Sequence, residues 1–131
     1  MIMKNGELFR LNEALAKIVI PQSMKVDELF DYLSAKTNIE KAVEPIMDKI
    51  SKFRDETIPE GVDETSLLNK DPKSIAWAAK FNIMQNKLME QDYDGEPLKP
   101  CLSKDNFAKM AGGLQTFEAV LVMKYLVNQG A

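Results

Sequence analysis

The side chains able to do chemistry in this chain are short clusters of carboxylates and one thiol. Acids gather at Asp27, Glu28 and Asp31, at Asp55 and Glu56, and at Glu90, Asp92 and Asp94. Paired carboxylates can relay protons or hold a divalent cation. The run Asp92-Tyr93-Asp94-Gly95-Glu96 comes nearest to a cation loop. It lacks the full ligand spacing and the closing glutamate of an EF-hand, and a solvated acidic turn accounts for it. The first cluster is what a helix start favours, because the helix dipole puts partial positive charge there. Cys101 is the only cysteine, and there is no histidine. An intrachain disulfide is therefore impossible, a thiol nucleophile has no imidazole base, and the commonest metal ligand is missing. The sequence has no Gly-rich phosphate loop. We expect no enzyme activity, no cofactor and no metal.

The totals narrow the class further. The chain of 131 residues fits a single domain, residues 1–131, and its 45% hydrophobic content can build a core without staples. A net charge of -3 gives no electrostatic case for binding nucleic acid. No stretch approaches the roughly 20 apolar residues of a membrane span. Lys4 is followed by Asn5, Gly6 and Glu7 rather than by a signal-peptide apolar run. We expect a soluble protein of a cytoplasm, the host's if phage-encoded, with incorporation into a virion as a further destination.

The elements that would position these side chains are mostly helical. Asn5-Gly6 between Ile2-Met3 and Leu8-Phe9 predicts a small N-terminal hairpin, because Asn-Gly suits a type I′ turn. That hairpin needs a third strand, and Leu98–Leu102 is the candidate. Asn12 caps a predicted short helix from Glu13 to about Val19. A long helix should follow, from Ser23 or Asp27 to about Glu56. Val26, Leu29 and Leu33 form one apolar series on it, and Ile39, Val43, Ile46, Ile50 and Phe53 form another. The phase changes between Leu33 and Ile39, and Pro45 interrupts the helix. Together these predict a kink near Lys41–Glu44 or a break at Thr37-Asn38. Asp71-Pro72 starts a helix bearing Trp77, Phe81, Met84 and Leu88 on one face, widened by Ile75, Ala79 and Ile83. Ser103 caps a short helix closed by Gly112-Gly113, and Thr116 caps the last one. The reading is a mainly α fold, with a long kinked helix and a minor β element.

The last helix is apolar nearly all round, with Glu118 and Lys124 as its charges. Such a helix is either central in the core or part of an interface. The candidate interaction residues are Phe117, Val120, Val122, Met123 and Leu126 on it, and Ile39, Val43, Ile46 and Ile50 on the long helix.

The order of elements also resembles a known pattern. An Asn5-Gly6-Glu7-Leu8 turn leads to a small helix and a long charged helix. A Phe81-x6-Leu88 helix and a Pro97-containing stretch follow, then Gly113-Leu114-x-Thr116 before a final apolar helix. This layout resembles a family of small helical proteins encoded by phages and prophages of Gram-positive bacteria. The resemblance spans most of the chain as layout and brings no catalytic residues. The Gly61–Asn69 connector and Pro45 depart from it. It implies a phage context and no mechanism. With the apolar stripes of the final and long helices, we expect a phage-encoded protein-interaction component, a virion or tail part or an assembly factor, that docks onto a protein partner or copies of itself. The alternative is a small phage effector that binds and inhibits a host or defence protein.

Overall fold

Leu8, Leu11, Ala14 and Leu15 repeat at helical spacing, and all four are fully buried in the computed structural model, which describes residues 3–63 and 70–129. They sit on α1 (Asn5–Lys17). After it come α2 (Val26–Thr57), α3 (Pro72–Glu90), α4 (Lys104–Met110), a 3₁₀ turn at Ala111–Gly113, and α5 (Thr116–Leu126). The fold is mainly helical. Helix α1 is its hub: it packs against α2, α3 and α5, and α2 also packs against α3.

The expected N-terminal hairpin is not formed. Asn5-Gly6 is the first turn of α1, because the Leu8–Leu11–Leu15 series buries only as a helix. The dipeptide serves a close approach instead. Asn5 Nδ2 donates to Leu88 O at 2.9 Å, near the end of α3. A Cβ on Gly6 would stand 3.3 Å from Met89 O. The minor β element is correspondingly different. Lys4 makes an isolated antiparallel bridge with Asp92, and Leu102 a parallel one with Val127. The short helix expected from Glu13 is thus the second half of a longer one, which stops at Lys17, before Val19 and Pro21.

Helix α2 runs without interruption from Val26 through Pro45 to Thr57, so the break expected at Thr37-Asn38 does not occur. Its buried residues are Tyr32, Ile39, Val43 and Ile46. Val26 and Leu33, in the earlier apolar series, are exposed. The phase change thus marks a change of face on one helix: Val26 and Leu33 look outward, Leu29 is half-buried against the core, and the second series looks inward. Pro45 is exposed, so the Lys41 carbonyl left without an amide partner can bond water.

Helix α3 begins as expected, with Asp71 Oδ1 accepting from Lys73 N at 2.9 Å and Pro72 at its first position. Trp77 is buried and donates from Nε1 to Thr57 Oγ1 at 3.0 Å. The Trp77, Phe81 and Phe53 rings pack with centroids 5.3 and 6.2 Å apart, closing α3 on the end of α2. Ile75, Ala79 and Ile83, expected to widen the packed face, are exposed. Ser103 Oγ caps α4 by accepting from Asn106 N at 3.2 Å.

Helix α5 is central. Leu121, Val122, Tyr125 and Leu126 are buried, and so is Glu118. Glu118 accepts from Lys17 Nζ at 2.9 and 3.0 Å and from Gln115 N at 2.9 Å, tying the end of α1 to the start of α5. The Gln115 amide, and then Lys17, hold its carboxyl below the ordinary 4.5. A lowered carboxylate contributes stability above its unfolded-state pKa and loses it as pH falls through the folded-state value.

Two outcomes follow from this packing. Chemical unfolding followed from about pH 7 to about pH 3 should show stability falling below the ordinary carboxylate value. Glu118→Gln should flatten that acid limb while destabilising the protein at neutral pH. Pro45→Ala should restore a backbone hydrogen bond at a solvent-facing position. It should stabilise by up to ~3 kcal/mol, read as a higher urea midpoint; no gain would mean that α2 is constrained elsewhere to the proline geometry.

Candidate interaction surface

Five of the nine candidate residues are core. Val122, Leu126 and Ile39 have no exposed surface, and Val43 and Ile46 are also buried. These five face the domain's own helices and are not available to a partner. Helix α5 looked equally apolar on every side in the sequence, but α1 covers one side of it. Ile50 is half-buried against the core. Phe117, Val120 and Met123 do face outward, at 44%, 52% and 43% exposure. Arg10 on α1 lies over the Phe117 ring at 5.3 Å from its centroid, so that end of the α5 row is already roofed by a cation.

The more open apolar surface is on the first turns of α2. Val26 is 76% exposed, Phe30 71% and Leu33 43%. They are spaced by four and three, so they form one row on the outer side of the helix. Val19 and Ile20, in the connection from α1, are exposed as well. No reading of the sequence singled out Phe30. The signal for it is the phase change between Leu33 and Ile39, which one uninterrupted helix with two apolar faces also produces.

The acidic clusters have structural duties or face solvent. Glu28 accepts from Ser103 N at 3.2 Å, from Ser103 Oγ at 3.3 Å and from Asn106 Nδ2, binding α2 to the start of α4. Asp92 pairs with Lys4 at 2.6 Å. Asp94 and Glu96 are exposed. Among the described residues no three potential ligands gather as a metal site, and no helix is long and apolar enough to cross a membrane.

Several grooves mark the surface of the described residues, and three of them bear on the site. One of about 600 Å³ lies between α2, at Asp31, Ala35 and Asn38, and the extended segment carrying Leu98 and Cys101. A second, about 550 Å³, lies by Phe53, Thr57, Trp77 and Lys80. A third, about 380 Å³, lies on the other side of the extended segment, by Met3, Tyr93, Leu98 and Tyr125. Cys101 is half-buried in the first. Burial, then the carboxylates of Asp31 and Glu28, push its thiol up to about 11. Burial likewise raises Tyr32 to about 12, with the neighbouring Cys101 contributing. A thiol so raised, with no imidazole available, is a poor nucleophile.

Comparison of the chain with protein-family models, with curated proteins and with solved structures gives no match. The site's geometry is a pair of exposed apolar helical rows over a packed core.

The Cys101 thiol is directly testable. Thiolate absorbance followed against pH in the folded protein should rise with a midpoint of about 11. A midpoint at the ordinary cysteine value would show that the neighbouring carboxylates and the burial do not act on it.

Proposed function

We propose that this protein is a non-catalytic interaction component that docks a protein partner, or another copy of itself, through the outer apolar row of α2. In the setting implied by its layout it is a phage-encoded virion or tail part, or an assembly factor, made in the cytoplasm of the host. The observation that carries this reading is the Val26–Phe30–Leu33 row. The inward face of α2 already supplies the core through Tyr32, Ile39, Val43 and Ile46. The outer row is therefore not required for folding, yet it holds a phenylalanine and a valine at over 70% exposure. Large apolar side chains gathered on one exposed face favour association. The Phe117–Val120–Met123 row on α5 is the secondary surface.

The test compares substitutions on and off the row. Phe30→Ser should leave the circular dichroism spectrum and unfolding midpoint close to the parent. It should weaken self-association, read by light scattering, or capture of the products of adjacent genes, by roughly 10- to 100-fold, the worth of burying one large side chain. Val122→Lys, in the core, should instead unfold the protein. A parent protein that stays monomeric at high concentration, and whose captured partners are indifferent to Phe30→Ser, would rule the reading out. Capture of a host enzyme, lost in Phe30→Ser, would assign the same surface to an inhibitory effector.

A further inference from the structure

Among the described residues, the segment after α3 is hydrogen-bonded at its ends alone. Tyr93 N donates to Met3 O at 2.7 Å, while Cys101 N and Leu102 N donate to Leu126 O at 2.7 and 2.9 Å. Between these anchors, residues 94–100 make no hydrogen bond or ion pair among the described residues. The segment also has space on both sides. Tyr93, Pro97, Leu98 and Pro100 line both the groove of about 600 Å³ against α2 and the groove of about 380 Å³ against α5. Those four residues are the wall between two cavities. Leu98 is the one side chain of residues 94–100 that packs on the core. Two features shape the motion available. Pro97 and Pro100 fix their φ angles, which stiffens the middle. At the other end the Tyr93 ring folds over Gly95 and fills the space that a Cβ would need.

We infer that residues 94–100 are a strap that opens as a unit between the Tyr93 and Cys101 anchors, joining the two grooves into one cleft between α2 and α5. Leu98 is its latch. Opening removes one half-buried leucine from the core and breaks no hydrogen bond, so it lies at the low-energy end of local unfolding. The open strap bares the Cys101 thiol, which makes that cysteine a reporter of the motion.

The experiment measures the labelling rate of Cys101 in the intact protein with an aromatic disulfide reagent at fixed pH. Leu98→Ala should accelerate labelling about tenfold, matching the loss of a half-buried leucine. In the same variant the Cys101 and Leu102 amides should stay protected from hydrogen exchange, because the anchor to Leu126 O remains. Trp77→Phe, which weakens packing at the far end of α2, should leave the labelling rate within about twofold of the parent, as expected of a local opening that is independent of global unfolding. Pro97→Gly loosens the strap without touching the core and should accelerate labelling in the same direction. Equal acceleration by Leu98→Ala and Trp77→Phe would show that the thiol is reached only by global unfolding and would overturn the strap. So would no acceleration by Leu98→Ala and Pro97→Gly, or loss of protection at Leu102 in Leu98→Ala.

Discussion

Burial of α1 is the constraint from which the rest of this structure follows. The helix touches α2, α3 and α5, and its Leu8, Leu11, Ala14 and Leu15 are wholly removed from water. Full burial of a leucine side chain contributes roughly 1.5–3 kcal/mol, so three such residues on one short helix commit it firmly to the core. A helix surrounded in this way needs its ends satisfied by neighbours rather than by solvent. Asn5 N donating to Gln91 O at 2.9 Å does this at the first end, and the Lys17–Glu118 ion pair fastens the other end to α5. The same contacts set where α3 stops and where α5 begins.

The carboxylates that are buried or half-buried between elements act as joints of this framework. Glu28 joins α2 to α4, Glu118 joins α5 to α1, and Glu7 receives the Tyr125 hydroxyl at 3.2 Å. Each lies where two elements meet and supplies the acceptor that an amide, hydroxyl or ammonium there requires. Cys101 is similar: its raised pKa comes from the packing and carboxylates around it, and those same surroundings suppress its reactivity. The functional reading therefore rests on surface left over after the core is satisfied. The α2 row meets that description, since the helix packs through its opposite face.

What the sequence determined by itself was local. The start of α3 at Asp71-Pro72 and the cap at Ser103 depend on backbone sterics and on capping by adjacent residues. Those effects act within a few residues and were legible, whereas Gly112-Gly113 lies in a 3₁₀ turn after Met110 with neither glycine in the left-handed region. The mainly helical class followed from apolar spacing for the same reason. Of the interaction candidates, only the α5 row Phe117–Val120–Met123 proved open to solvent.

Tertiary structure decided whatever required knowing what lies opposite. Asn5-Gly6 has the composition of a hairpin tip, but Leu88 and Met89, far away in sequence, make it a helix start in close contact with α3. Val122 and Leu126 are chemically the same kind of residue as Val120 and Met123. Which pair is buried depends on the side from which α1 approaches, and a helix apolar all round carries no record of that direction. The shift between Leu33 and Ile39 was visible as a break in periodicity, yet periodicity gives only the angle between two faces. Only the packing of α1 and α3 on one side of α2 made Ile39 and Val43 core and left Val26 and Phe30 in water.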